Sequence, residues 1–346
     1  MDRSRPIIFV SIASYCDPVL PWTLDSCLAT ARHPENLRFG ICWQLDESKP
    51  IDLARFKADS RFSFSEHDYR DSEGGSWARS IAQEFWGGEP YSLQIDSHMA
   101  FAPGWDESLV RMMRTLPAGK PLITMIAPLF QFDDKDRVRR QTGRGIRTIK
   151  MAQWEEPGGW APWTVWGIPN TQVPARSRFL SGQFIFTLGA WTSEVRQDPQ
   201  HYYWGEEFAL AVRSYTHGYD MFLPDEMVAW HMRHRHGPPR RHWEHGRDVV
   251  ARKNKVGFER LRALVYTERP EDGAQLGRYG LGGKRSLSEF ERFAGMDLRN
   301  RRAHPDVFVG RNPDPVTIKT ESDWARCITI EEFRNQADRH ATSDLR

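Results

Sequence analysis

Short apolar runs alternate with amphipathic stretches along most of the chain. Continuous apolar runs are typical of strands buried on both faces, and they predict strands at residues 7–12, 37–43, 61–66, 91–95, 122–126, 182–187 and 228–231. Helical periodicity predicts helices at residues 22–31, 76–86, 106–115, 206–216 and 258–266. This alternation is typical of an α/β fold with a doubly wound, mostly parallel, Rossmann-like sheet.

Glycines, prolines and short polar side chains indicate where some of these elements begin and end. Ser76 follows a glycine pair and is predicted to cap the helix that starts there. Gly218 is a suitable stop for the helix over 206–216. Ligands of such sheets bind beyond the carboxyl ends of the strands. The loops after Ile12 and Ile95 are therefore candidate site loops.

The periodic pattern divides the chain into two parts. Residues 1–235 are predicted to form the core, and residues 236–346 an Arg-rich C-terminal extension that packs on it. Within the core, Gly, Pro, Trp and Arg dominate residues 131–178. We predict an irregular excursion over the site there, because structureless loops of that length are usually functional.

Composition narrows the class of protein. The formal net charge is +2, which gives no global attraction to nucleic acid, although Arg and His crowd residues 231–252. No run of 18 apolar residues indicates a membrane span. The four cysteines form no paired motif, and the N-terminal residues lack a signal-peptide pattern. We therefore expect a cytoplasmic protein with reduced thiols.

The turn Asp96-Ser97-His98 directly follows an apolar strand. A carboxylate and an imidazole at positions i and i+2 of a turn can converge on one ion, and this pair suits Mn²⁺ or Mg²⁺. The alternative is that Asp96 only forms the turn. Acidic turns at residues 46–48 and 133–136 compete for the same role.

His231 ends another apolar run and can complete the metal shell. The residues after it, including Arg233 and His236, can cover a diphosphate with positive charge. Two other interpretations stay open for this histidine-rich segment. It can bind zinc, although its spacing matches no common zinc site, or it can be a solvated basic loop that contacts polynucleotides.

Two helix starts carry candidate binding residues. Trp204 precedes Glu206 and Glu207, which can accept hydrogen bonds from sugar hydroxyls beside an aromatic face. A glutamate in a first helical turn also complements the helix dipole without any further function. Arg79, after the glycine pair, can reach a phosphate or ribose, or can be an ordinary exposed helix arginine.

These segments together resemble the retaining GT-A glycosyltransferases that move N-acetylglucosamine from UDP-GlcNAc to a hydroxyl, a family whose cytoplasmic members modify a hydroxyproline on a ubiquitin-ligase subunit. The matching strings are Ile8-Phe9-Val10-Ser11-Ile12-Ala13-Ser14-Tyr15, Gln94-Ile95-Asp96-Ser97-His98, Trp204-Gly205-Glu206-Glu207 and the strand that ends in His231. The resemblance runs from about residue 7 to 235 and reappears at 279–287 and 293–297. Similar Asp-x-His turns occur in the mucin-type GalNAc transferases.

The resemblance implies a role for each matching residue. Asp96, His98 and His231 would hold Mn²⁺ or Mg²⁺, and Trp204 with Glu206 or Glu207 would meet the donor sugar or the acceptor. The residues implied at the UDP moiety of the donor are Ala13, Ser14, Tyr15, Asp17, Arg79, Asp96 and Ser97, with Arg233, His236 and Lys284 at the diphosphate. Cys16 stands where such sequences often carry Arg, which puts one loop contact in doubt.

The implied reaction transfers a sugar, with retention of configuration, to a hydroxyl on a protein or glycan. Three rivals stay open, one of them a nucleic-acid-binding protein that uses the Arg-rich C-terminal third. A nucleotidyltransferase would show a Gly-rich basic loop after the first strand, and residues 13–17 contain neither glycine nor lysine. A non-catalytic adaptor that binds nucleotide sugars or carbohydrates on a degenerate transferase fold would release no UDP. The sequence leaves the acceptor and the oligomeric state open.

Overall fold

A computed structural model describes residues 7–135, 137–141, 145–154, 162–232, 247–266 and 276–343. Its strands are β1 (Ile8–Tyr15), β2 (Leu37–Leu45), β3 (Phe62–Asp68), β4 (Tyr91–Asp96), β5 (Met99–Phe101), β6 (Pro121–Thr124), β7 (Leu129–Phe132), β8 (Val138–Arg140), β9 (Arg147–Trp154), β10 (Pro162–Pro169), β11 (Ala175–Arg176), β12 (Phe184–Leu188), β13 (Asp220–Leu223), β14 (Ala229–Met232), β15 (Met296–Asp297) and β16 (Arg302–Ala303). The helices are α1 (Leu20–Thr30), α2 (Ala54–Lys57), α3 (Gly75–Ala82), α4 (Trp105–Thr115), α5 (Trp191–Glu194), α6 (Glu206–Thr216), α7 (Arg247–Val265), α8 (Leu287–Ala294), α9 (Pro305–Val309) and α10 (Ile330–Ser343).

The largest sheet has eight strands in the order β11-β13-β6-β12-β4-β1-β2-β3. β1 pairs in parallel with both β2 and β4, while β12 runs antiparallel to β4 and β6. β1 is buried from Ile8 to Ile12, as its continuous apolar run predicts. The predicted α/β fold with a mostly parallel sheet is confirmed.

A four-stranded sheet in the order β5-β14-β7-β8 lies beyond the carboxyl end of β4. The chain leaves β4 at Asp96, turns through Ser97 and His98, and enters β5 at Met99. β14 pairs with β5 in the register His231 to Met99. This pairing brings His231 beside a turn that is 133 residues earlier in the chain.

The prediction of an irregular excursion over residues 131–178 is wrong for much of its length. β9 and β10 form an antiparallel hairpin, and β7 and β8 form a second antiparallel pair. Ile149 and Met151 of β9 are buried in a core cluster, but Thr148 beside them is buried as well, while Lys150 and Ala152 are half-buried. That incomplete alternation explains why the sequence pattern does not reveal the strand.

Several element boundaries also differ from prediction. α3 begins at Gly75 with Gly74 as its N-cap and has no side-chain cap, so Ser76 lies inside the helix. α3 ends at Ala82, and a 3₁₀ turn over Gln83–Phe85 completes the predicted helical stretch. α7 extends well before the helix predicted at residues 258–266.

The described residues after position 246 share a core cluster with the sheet. Leu261, Phe290 and Val307 belong to the same buried cluster as Leu122 and Leu210. The division into parts 1–235 and 236–346 stays a prediction. Among the described residues, no helix is both long and apolar enough to cross a membrane.

Candidate active site

Asp96, His98 and His231 converge at the carboxyl end of β4. Each offers one ligand atom, and these atoms all lie within 4.8 Å of one another. The two imidazole Nε2 atoms are 2.9 Å apart, and His231 Nε2 lies 3.4 Å from Asp96 Oδ2. Atoms bound side by side to one small divalent ion at roughly 2.1 Å lie about 3 Å apart, so this spacing fits a shared cation.

Asp17 fixes the orientation of His98 through its Nδ1 atom, on the opposite side of the ring from the metal position. Its carboxylate is fully buried and lies 2.6 Å from His98 Nδ1. Ser97 Oγ donates to the same carboxylate oxygen at 2.6 Å, and the backbone N–H of Val19 donates to the other at 3.0 Å. A carboxylate that accepts from Nδ1 leaves the Nε2 lone pair directed at the metal position.

The Asp17 carboxylate is buried against His98 and Ser97, and the role that the resemblance implies for Asp17 at UDP stays a prediction. The donor set of one carboxylate and two imidazoles, one of them held in place by Asp17, fits Mn²⁺ or Mg²⁺ as a resident cofactor. These are the three ligands that the sequence predicts.

Arg79 of α3 joins the candidate metal site to the first turn of α6. One guanidinium nitrogen lies 3.2 Å from Asp96 Oδ1, and the other lies 3.7 Å from Glu206 Oε1. Burial disfavours ionisation of Asp96, but hydrogen bonding to His231 and the charge of Arg79 outweigh it and lower the pKa of Asp96. The exposed-helix interpretation of Arg79 is therefore wrong, since its side chain is 12% exposed.

Glu206 and Glu207 have different surroundings although they are adjacent. Glu207 accepts hydrogen bonds from the backbone N–H of Gly182 at 2.6 Å and from Ser181 Oγ at 3.3 Å. Burial, and then the charge of Glu207, raise the pKa of Glu206 to about 8. Glu207 is thus held by the turn that precedes β12, while Glu206 lies against Arg79.

A cavity of about 330 Å³ opens between these groups. Its polar side includes Arg79, Asp96 and His231 together with both glutamates; its other lining residues include Trp163, Tyr203 and Trp204. We call these last three the aromatic wall. The ring centres of Trp163 and Trp204 are 5.1 Å apart, and those of Tyr203 and Trp204 are 5.0 Å apart.

The end of β1 borders the same region. Ala13 pairs with Asp96 across β1 and β4. The Ser14 side chain is fully buried, and Tyr15 is half-buried with its ring 6.3 Å from that of Tyr69. Their role at a nucleotide stays a prediction.

Lys284 lies away from the cavity. Its backbone N–H donates to the carbonyl oxygen of Thr216 at 3.0 Å. Thr216 is the last residue of α6 and Glu206 the first, a separation of about 15 Å at the helical rise per residue. The structure therefore does not bring Lys284 to the site, and Arg233 and His236 lie outside the described residues.

Sequence reasoning missed two features of the site. Trp163 was not singled out, because it lies within the stretch predicted to be irregular and only the high tryptophan content of the chain hints at it. The ion pairs that link Arg79 to Asp96 and Glu206 join residues far apart in sequence. No local pattern signals such a contact.

Comparison with known proteins agrees with this geometry. The family model described as "Glycosyltransferase (GlcNAc)" matches residues 7–63 and 55–300, which is most of the chain. No curated protein matches the sequence.

Among solved structures, the chain is similar to GalNAc-T7, described with UDP, GalNAc and Mn²⁺, at 14% identity and a TM-score of 0.56. The match covers 84% of this chain but only 56% of that one. Staphylococcus aureus TarS 1–349 matches at 12% identity and a TM-score of 0.42, over 79% of this chain and 80% of the other. The likeness to GalNAc-T7 supports the GT-A-type fold predicted from the sequence.

Proposed function

The chain belongs to the Glycosyltransferase (GlcNAc) family, and from this premise we propose that it transfers a sugar from a UDP-sugar to an acceptor hydroxyl. We take the sugar to be N-acetylglucosamine, the metal Mn²⁺ or Mg²⁺, and the configuration retained. The observation that carries the proposal is the convergence of Asp96, His98 and His231, of which Asp96 and His231 line the cavity.

The three ligands would hold the cation against the donor diphosphate. A divalent ion there stabilises the negative charge that develops on UDP as the bond to the sugar breaks. Asp17 keeps His98 in the tautomer that can bind the ion. Arg79 adds a fixed positive charge beside Asp96, within reach of the leaving group.

The two glutamates would orient the sugars. Glu207, held by the backbone of Gly182, is a fixed acceptor for donor hydroxyls. Glu206 lies 3.7 Å from Arg79 and lines the cavity together with the aromatic wall, and it would contact the acceptor. The acceptor oxygen bonds to the anomeric carbon on the face that UDP leaves, and its proton passes to a phosphate oxygen of UDP. Catalysis then depends on positioning and electrostatics.

The test is release of UDP from UDP-sugars by purified protein with Mn²⁺, comparing wild type with Asp96→Ala. We expect metal-dependent release in wild type and loss of most turnover in the variant, since a metal clamp contributes several kcal/mol. Near-normal turnover of a folded Asp96→Ala protein would show that the site is misassigned. Absence of UDP release from any UDP-sugar would favour the adaptor interpretation.

A further inference from the structure

The cavity beside the candidate metal site has two chemically different sides. One carries carboxylates and Arg79, and the other is the aromatic wall. Trp163 comes from β10, while Tyr203 and Trp204 precede α6, so two distant segments meet to build the wall. Trp163 and Tyr203 are each 38% exposed. Large aromatic side chains left exposed in a concave site are typical of ligand contacts.

We propose that the aromatic wall of Trp163, Tyr203 and Trp204 binds the ring of a saccharide, so that the acceptor substrate is a carbohydrate. This inference rests on the proposed function. A pyranose ring has an apolar C–H face and hydroxyls around its edge. That shape matches a cavity lined both by aromatic rings and by Glu206, Glu207 and Arg79.

The extent of the wall favours the acceptor over the donor sugar. The donor is fixed by its diphosphate at Asp96 and His231, and its sugar ring needs one apolar face at most. The ring planes of Trp163 and Trp204 differ by 40°, and those of Tyr203 and Trp204 by 78°, so one hexose cannot stack on all three rings. The remaining apolar surface is available to a second ring.

The position of the wall relative to the catalytic groups fits this assignment. Trp204 lies two residues before Glu206, and its backbone N–H donates to Asn254 Oδ1 of α7 at 3.2 Å. Asn254 is buried, so this contact fixes the loop that carries Tyr203 and Trp204. A ring stacked there would place a hydroxyl beside Glu206.

Trp163 is the best residue for a test, because its ring is partly exposed in the cavity and it lies on a strand apart from Glu206 and Glu207. Ile168 lies on the same strand, is 43% exposed and is not part of the cavity lining. Ile168→Ala is therefore a matched control. Trp163→Phe keeps an aromatic face and should recover part of the acceptor affinity.

The experiment measures UDP release from UDP-GlcNAc with Mn²⁺ in the presence of two acceptor panels. One contains methyl glycosides and disaccharides of hexoses and N-acetylhexosamines; the other contains peptides with serine, threonine or hydroxyproline. We expect saccharides to accelerate UDP release and Trp163→Ala to raise their KM roughly tenfold, more than it raises the donor KM. Ile168→Ala should match wild type.

Acceleration by peptides alone, or an unchanged saccharide KM in Trp163→Ala, would overturn the saccharide assignment while leaving the transferase proposal intact. If no UDP-sugar is turned over, the proposed function fails, and quenching of tryptophan fluorescence by the same saccharides decides the inference separately. Quenching that is weakened in Trp163→Ala supports the subsite. No quenching, or equal quenching in both proteins, contradicts it.

Discussion

The buried pair of Asp17 and His98 offers a sensitive test of the metal site, through the substitution Asp17→Asn. The variant has the same shape but loses one acceptor oxygen and the charge. Asp17 uses one oxygen for Val19 N–H and the other for Ser97 Oγ and His98 Nδ1. An asparagine oriented to satisfy Val19 presents its NH₂ to His98, and the imidazole proton then moves to Nε2, the atom that faces the metal.

The expected loss of metal affinity follows from this change of tautomer. Loss of a hydrogen-bonded partner behind a metal-binding histidine typically lowers metal affinity about 10- to 100-fold, or about 1.4–2.8 kcal/mol. The other amide orientation keeps the imidazole proton on Nδ1 but sets the NH₂ against Val19 N–H. In that case the free energy of unfolding falls, because the buried N–H of Val19 lacks an acceptor. Calorimetric titration of Mn²⁺ with UDP present, together with urea unfolding, separates the two outcomes.

The matched control is Asp52→Asn. Asp52 accepts from the backbone N–H of Ala54 at 2.9 Å in an exposed loop, so this variant makes the same chemical change far from the metal ligands. It should bind Mn²⁺ like wild type. An Asp17→Asn protein with wild-type Mn²⁺ affinity and wild-type stability would refute the orienting role of Asp17.

Two further predictions concern the groups around Arg79 and α3. Burial and the charge of Glu207 raise the pKa of Glu206 from 4.5 to about 8. Between these two pH values the folded protein holds a proton on Glu206 that the unfolded chain loses. The free energy of unfolding should therefore fall as pH rises from about 4.5 to 8. Urea unfolding without metal should show a smaller fall in Glu206→Gln, and identical pH profiles would contradict this. Gly74 has φ +101°, and a Cβ there would lie 2.3 Å from the carbonyl oxygen of Tyr202; Gly74→Ala should lose more than about 2 kcal/mol of stability. Gly88→Ala has the same φ but open space and should lose only the cost of backbone strain, so equal losses would contradict the packing argument.

The sequence predicts the sheet and the metal turn because both depend on local patterns. The run before Asp96 marks a buried strand, and Asp96 is the last residue of that strand. His231 likewise ends a short apolar run, and its convergence with Asp96 follows once both runs are placed in one fold. The candidate ligands could therefore be identified without structural information.

Other parts of the site depend on contacts between distant segments. Nothing near Asp17 in the sequence indicates that its carboxylate lies against an imidazole 81 residues later. The hairpin of β9 and β10 is half-exposed, so its alternation is weak and Trp163 was not recognised. The link from Asp96 through Arg79 to Glu206 exists only because α3 and α6 meet at the cavity.

The central claim is that Asp96, His98 and His231 bind a cation that holds a UDP-sugar. Calorimetric titration of UDP-GlcNAc into wild-type protein, with Mn²⁺ and then with Mn²⁺ removed by EDTA, tests it most directly. We expect UDP-GlcNAc to bind in the presence of Mn²⁺ and to bind at least roughly tenfold more weakly after Mn²⁺ is removed. Equal binding with and without the metal, or no binding of UDP-GlcNAc or UDP with Mn²⁺ present, would contradict it.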